Sequence, residues 1–205
     1  MGGGAIIDRH INWKSKRLWV PIQAMGLDNT GTADTSIAEG TPTVEAHSGT
    51  IEVTTIPMTT ADEVEFVMPI PWDMDRVGDV AARLYFIHAS TDAGDKPVYK
   101  VAYKFYGKQA QTVECKGGKD KEVTITHGGT SSTDDSLEVT PWTDMDWKSY
   151  IDVNDMLVAV NIELDALGTA SGDECGLLGI EFAYTIKACN LSKTGVSNLI
   201  DANSI

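Results

Sequence analysis

The chain has 205 residues, of which 30 are acidic and 16 basic, so its formal net charge is −14. This excess of negative charge argues against DNA, RNA or an anionic membrane as the main partner, because those surfaces attract basic patches. The three cysteines are widely spaced and form no CxxC pair, which favours free thiols in a reducing compartment over a disulfide framework or a zinc site. We expect neither a secretory leader nor a membrane-spanning segment, since no apolar run reaches the necessary length.

The first 16 residues predict an N-terminal arm. Within residues 1–17, four basic residues face only Asp8, so this segment carries a net charge of +3 and the remainder carries −17. Such a segment suits contact with an acidic neighbouring chain, although an ordinary solvated entry to the first strand would have the same composition. We expect residues 1–17 to lie against other chains, and the candidate contact residues are Arg9, Trp13, Lys14, Lys16 and Arg17.

Apolar and polar residues alternate along most of the chain after residue 16, which is typical of antiparallel strands with one face on a core. The pattern predicts about nine strands, at 17–24, 50–55, 62–70, 80–87, 100–106, 121–126, 136–140, 157–165 and 177–187. Pro21 indicates an edge or a bulge. The run 80–87 is apolar on both faces and predicts a central or interface strand. Segment 27–43 predicts a long polar loop, and Asp152–Met156 one short helical turn.

Nine strands with few helices predict an all-β fold, an antiparallel β-sandwich of jelly-roll type over residues 17–190. The sequence Pro71–Asp75 is echoed by Pro141–Asp146, as two Greek keys built from similar corners would produce. The Asp73/Asp75 and Asp144/Asp146 pairs suit turn capping. Whether either pair also binds a cation stays open, although Val77 and Leu84 break the calcium-loop pattern.

Recognised catalytic motifs are missing from the sequence. The four histidines, His10, His47, His88 and His127, fall on separate predicted elements, and neither HExxH, GxSxG nor a Walker loop occurs. Acidic pairs are abundant, but sequence spacing cannot place two carboxylates across a cleft, so a glycosidase has no motif in its support. We therefore expect a protein that is not an enzyme and that uses no cofactor.

The five tryptophans could serve packing or binding. Trp72 and Trp142 follow prolines at predicted strand ends, which favours core packing there. An exposed tryptophan on a sandwich could instead anchor a protein interface or stack against a sugar, so a carbohydrate-binding module is the alternative of another class. Residues 191–205 predict a C-terminal arm, whose sparse apolar residues Leu199, Ile200 and Ile205 are further candidate contact residues.

Three segments, 64–75, 98–103 and 157–164, resemble parts of virion structural proteins of tailed bacteriophages, in which a hydrophobic strand, a proline and an acidic turn precede a sandwich strand. The resemblance implies a jelly-roll capsid decoration (cement) protein on the virion surface, made in the host cytoplasm. It further implies a homotrimer that binds the major capsid protein and stabilises its lattice. A tail, baseplate or head-fibre protein is the alternative within the same class. The resemblance assigns no functional residue.

Overall fold

The computed structural model describes residues 15–27, 43–47, 51–88, 96–107, 121–129, 136–167 and 175–187. Twelve strands occur in this part of the chain. They are β1 (Ser15–Pro21), β2 (Gly26–Leu27), β3 (Thr43–His47), β4 (Ile51–Met58), β5 (Glu63–Pro69), β6 (Val80–His88), β7 (Val98–Gly107), β8 (Lys121–Thr126), β9 (Ser136–Val139), β10 (Thr143–Asp144), β11 (Asp155–Ala166) and β12 (Cys175–Thr185). Two three-residue 3-10 turns, Ile22–Ala24 and Trp147–Ser149, are the helical segments described. No helix in these ranges is long and apolar enough to cross a membrane.

The strands form two antiparallel sheets. In the first sheet, β6 and β12 are the central pair. On the other side of β6, the sheet continues with β9 and β10. On the other side of β12, β4 and β1 pair with successive parts of the strand, and β3 pairs with β4. The second sheet has the order β2-β5-β11-β7-β8. The chain crosses repeatedly from one sheet to the other, which makes the architecture an all-β sandwich of jelly-roll type, as the alternation predicted.

The core lies between the inward faces of the two sheets. Trp147 fills one end of it, and its ring contacts Phe105 of the second sheet at 5.4 Å and Phe182 of the first at 5.3 Å between ring centroids. The 3-10 turn that carries Trp147 therefore closes the sandwich at the end where β5 ends and β11 begins. Aromatic contacts of this kind contribute beyond the area they bury.

Each of the nine predicted strands is present, and β6 is central in its sheet, as the apolar run indicated. Three short strands, β2, β3 and β10, were not predicted. The expected short turn at Asp152–Met156 is present over residues 152–155, where the nitrogen of Asp155 donates to the oxygen of Asp152 at 3.2 Å, but it ends early because β11 already begins at Asp155. Most of the polar segment 27–43 lies outside the described residues, as does the predicted C-terminal arm.

The first strand begins two residues before the predicted boundary at residue 17. It pairs with β12 over its whole length, from Ser15 opposite Thr185 to Pro21 opposite Gly179. Ser15, Lys16 and Arg17 therefore belong to a sheet of their own domain and not to an arm. Contact of Lys16 and Arg17 with other chains stays a prediction. Residues 1–14 lie outside the described ranges.

Candidate interaction surfaces

Two loops, 70–79 and 145–154, meet at the end of the sandwich that Trp147 closes. Arg76 joins them, because its guanidinium donates hydrogen bonds to the main-chain oxygens of Asp152 and Asp155, the latter at 2.5 Å. The main-chain nitrogen of Ile70 also donates to the oxygen of Met156 at 2.8 Å. These bonds fix the two loops to each other and to the start of β11.

The same loops are held to the core by buried side chains. Met74 is buried and forms an isolated bridge with Ile186, just after β12. Met145 and Ile151 are buried on the opposite loop, on either side of Trp147. Buried and exposed apolar residues alternate within these short loops. The buried side chains hold the loop backbone against the core, and this fixes the positions of the exposed ones.

Six of the eight large hydrophobic side chains exposed in the described part of the chain lie at this end or on the adjoining strands β5 and β11. We call this set the apolar end; its members are Val67, Trp72, Val77, Val153, Met156 and Leu157. Trp72, Val77 and Val153 are 86%, 79% and 77% exposed. Single exposed hydrophobic residues are ordinary, whereas a concentration of them marks an interaction surface.

The predicted core position of Trp72 is therefore wrong. A turn bonded from the nitrogen of Met74 to the oxygen of Pro71, at 3.0 Å, points the intervening indole outward while Met74 turns inward. Trp142, in the related sequence, is half-buried, and the tryptophan that fills the core is Trp147. The two Pro-Trp corners thus differ in structure despite their similar residues.

The aspartates of this end cap turns and pair with lysines. Asp75 accepts from the nitrogen of Val77 at 3.2 Å, and Asp144 from the nitrogen of Asp146 at 2.9 Å. The side chain of Lys16 donates to Asp73, and this hydrogen bond holds the pKa of the Asp73 carboxyl below its usual range. Among the described residues no group of three or more His, Cys, Asp or Glu side chains could hold a metal ion.

A second candidate surface lies on the outer face of the first sheet, on the side away from the core. Cross-strand register places Trp19 of β1 opposite Glu181 of β12, which is itself opposite Arg83 of β6. Tyr85 follows two residues along β6 on the same face. We call this set, with the two residues that flank it, the aromatic face; its members are Arg17, Trp19, Arg83, Tyr85, Trp142 and Glu181.

Glu181 is the centre of the aromatic face. Its carboxylate is largely buried and accepts from Arg83 at 2.7 and 2.8 Å and from the Tyr85 hydroxyl at 2.7 Å, while Arg17 lies 3.6 Å away. Burial alone would raise the pKa of Glu181, but the hydrogen bonds from Tyr85 and Arg83 outweigh it, so the pKa lies below its ordinary value. The carboxylate is therefore ionised and holds the surrounding side chains in one arrangement.

The guanidinium groups also cover one of the indoles. Arg83 lies 4.5 Å and Arg17 5.6 Å from the centroid of the Trp142 ring. Cation–π contacts of this geometry add to the ion pairs with Glu181. Trp19 is placed differently: its ring meets Tyr85 edge-on at 5.0 Å and lies against the backbone at Gly179, and 45% of the residue is exposed.

Of the candidate contact residues, the structure describes two. Lys16 pairs with Asp73 at the apolar end, and Arg17 belongs to the aromatic face. The other six, Arg9, Trp13, Lys14, Leu199, Ile200 and Ile205, lie outside the described residues. The aromatic face itself was not predicted. The sequence pattern that could have indicated it is the Arg-X-Trp and Arg-X-Tyr spacing at 17–19 and 83–85, because residues two apart lie on the same side of a strand.

The remaining reactive residues lie on separate elements, as their sequence positions indicated, but the fold brings some of them together. His88 is the cross-strand partner of Cys175, and Nε2 of His127 lies 3.6 Å from the Glu138 carboxylate. His88 and His127 are buried, and burial lowers the pKa of His127. The nitrogen of Gly129 donates to Nδ1 of His127 at 3.3 Å, and Phe86 meets the imidazole edge-on. Cys175 is also buried. His10, Cys115 and Cys189 lie outside the described ranges.

Comparison with known proteins gives no family. No protein-family model matches the chain, and no curated protein matches it. Among solved structures, the chain aligns with the CBM36-1 domain of a multidomain xylanase from the hindgut metagenome of Trinervitermes trinervoides, at 10% identity and a TM-score of 0.40, over 82% of this chain and 96% of that domain. A family 11 carbohydrate-binding module from Clostridium thermocellum aligns at 8% identity and a TM-score of 0.35, over 88% and 94% of the two chains.

A viral protein is also among the aligned structures. The structure of infectious bursal disease virus, Gx strain, aligns at 14% identity and a TM-score of 0.32, over 74% of this chain and 39% of that one. Alignments at such identities and scores do not indicate function.

Proposed function

We propose that this chain is a non-enzymatic structural protein of a phage virion, which forms a homotrimer and binds the major capsid protein as a decoration protein. The observation that carries the proposal is the apolar end. A tail, baseplate or head-fibre protein would use the same surface, and its position in a particle would distinguish it. The sandwich acts as a rigid body that presents this end to neighbouring chains.

The energetics of the apolar end suit burial against a protein. A tryptophan buries about 150–250 Å² of surface, so burying the exposed Trp72 contributes about 4 kcal/mol at roughly 25 cal/mol per Å². The loops beneath it are already fixed by Arg76 and by buried methionines. Association therefore costs less conformational entropy than it would if the loops had to become ordered on binding.

Charge indicates which surface fits the apolar end. Loops 70–79 and 145–154, with the flanking residues Asp144 and Asp155, contain seven aspartates and only two basic residues, Arg76 and Lys148, so a complementary surface is basic. Ser15, the first described residue, lies at this same end, because it is paired with Thr185, whose oxygen accepts from the nitrogen of Asp75 at 2.7 Å. In our proposal residues 1–14 of a neighbouring copy supply the complement through Arg9, Trp13 and Lys14. The C-terminal residues Leu199, Ile200 and Ile205 add apolar contacts.

Sedimentation velocity over a wide concentration range tests the proposal. The wild-type chain is expected to reach the mass of a trimer. Trp72→Ser removes the central contact and is expected to raise the dissociation constant about 30-fold, since a buried tryptophan in an interface contributes about 2 kcal/mol or more. The charge reversals Arg9→Glu and Lys14→Glu should weaken association most at low ionic strength, where surface charges are least screened.

Leu137→Ser is the matched control. Leu137 is as exposed as the members of the apolar end, but it lies on β9, which pairs with β6 in the first sheet. Its substitution should leave the sedimentation profile unchanged. A wild-type protein that stays monomeric at high concentration and does not bind capsid shells would rule out the proposal. Equal losses in Trp72→Ser and Leu137→Ser would rule out the apolar end as the contact.

A further inference from the structure

The aromatic face contains an exposed ring that the assembly proposal does not use. Trp19 is 45% exposed although it lies in the middle of β1. One side of its indole lies against Gly179, where an added Cβ would come within 2.7 Å of Cζ2 and Cη2. Tyr85 meets the ring at an interplanar angle of 89°. The indole is thus held in place before any ligand arrives, which lowers the entropic cost of binding.

Polar groups surround this ring at close range. Glu181 is its direct cross-strand partner, and such partners have Cβ atoms about 4.5–5.5 Å apart. Arg17 is on the same face, two residues and about 6.8 Å along the strand, with 48% of its side chain exposed. The guanidinium groups of Arg17 and Arg83 lie over the ring of Trp142 and so do not cover Trp19. A half-exposed donor therefore lies beside a half-exposed indole.

The chemistry of the ligand follows from this arrangement. A pyranose ring has an apolar C–H face that packs on an indole and hydroxyl groups at its edge that bond to arginine and carboxylate. A protein partner needs about 800 Å² on each side for a stable interface, which one half-exposed ring among charged groups does not supply. Nucleic acids and acidic polysaccharides are disfavoured by the net charge of −14.

We infer that the aromatic face is a binding site for a neutral oligosaccharide, with Trp19 as the stacking platform, Arg17 as a hydrogen-bond donor and Glu181 as the buried carboxylate that positions the surrounding side chains. This site is separate from the apolar end. It lies on the outer face of the first sheet, whereas the apolar end closes the sandwich beside Trp147. A chain that assembles through the apolar end leaves the aromatic face accessible, so the two proposals can fail independently.

Isothermal titration calorimetry of the full-length protein with cellohexaose, xylohexaose, mannohexaose and laminarihexaose tests the inference, with hexagalacturonic acid as the acidic comparison. At least one neutral sugar should give saturable binding and exceed the acidic one in affinity. Trp19→Ala should lower that affinity at least about tenfold, which corresponds to about 1.4 kcal/mol. Trp19→Phe keeps an aromatic ring and should lose less. Trp72→Ala, which removes an exposed tryptophan elsewhere, should bind like the wild type.

Three results would overturn the inference. The first is the absence of saturable binding to every neutral sugar of the panel by the folded wild type. The second is Trp19→Ala, or the milder Trp19→Phe if the alanine variant unfolds, binding as tightly as the wild type. The third is a change of sedimentation mass in these variants without any sugar effect, which would make the aromatic face a protein interface.

Discussion

The substitution Gly179→Ala probes the support of the aromatic face. Gly179 has φ of +156°, a backbone conformation that costs a residue with a Cβ about 1–3 kcal/mol. The added Cβ would lie 2.5 Å from the main-chain oxygen of Val20 and 2.7 Å from the Trp19 ring. Relief of such overlap costs about 1–3 kcal/mol more. We therefore expect the free energy of unfolding to fall by about 2–6 kcal/mol in total.

Urea unfolding followed by circular dichroism measures this loss. The tryptophan emission of the folded variant should also shift, because Trp19 cannot keep its position over residue 179. Gly128→Ala is the matched control, since an added Cβ there meets nothing within 4 Å. Its free energy of unfolding should stay within about 0.5 kcal/mol of the wild type. A Gly179→Ala variant as stable as the Gly128→Ala variant would refute the geometry of the β1–β12 contact.

Three further predictions concern the core and its titrating groups. Trp147→Ala should lower the free energy of unfolding in urea by about 3–5 kcal/mol, because Trp147 is buried. Trp72→Ala should change the stability of the monomer by no more than about 0.5 kcal/mol, because Trp72 is exposed, and equal losses in the two variants would contradict this difference. The lowered pKa of Glu181 stabilises the fold above pH 4.5, and this contribution is lost as the pH falls through the lower folded value; Glu181→Gln should flatten that part of the urea-midpoint profile. For His127 the folded pKa is below the ordinary 6.5, so the unfolded state takes up the proton first and stability declines below that pH; His127→Gln should remove the decline.

Strand positions were predictable because alternation is a local property. Every strand of six or more residues in the described chain coincides with a predicted one. The missed strands β2 and β10 have only two residues each, too few to show a period of two. The expected turn at 152–156 is shorter than predicted because β11 begins with a bulge between Asp155 and Leu157, which interrupts the alternation at Met156.

The candidate surfaces depend on information that lies far apart in the chain. Arg83 and Glu181 form their ion pair across 98 residues, and only the register of β6 with β12 brings them together. The apolar end was not predicted for a different reason. Trp72, Trp142 and Trp147 all occupy acidic corners of similar composition, and the direction of each indole is set by turn geometry that the residue types do not determine.

Hydroxyl-radical footprinting of the assembled and the dilute protein tests whether the chain assembles through its apolar end. Tryptophan and methionine side chains oxidise readily when exposed, so Trp72 and Met156 report on the apolar end, and Trp19 reports on the aromatic face. We expect assembly to protect Trp72 and Met156 while the oxidation rate of Trp19 stays the same. Unchanged rates at Trp72 and Met156 in a sample that has reached its full assembled mass would contradict the claim that this protein assembles through its apolar end.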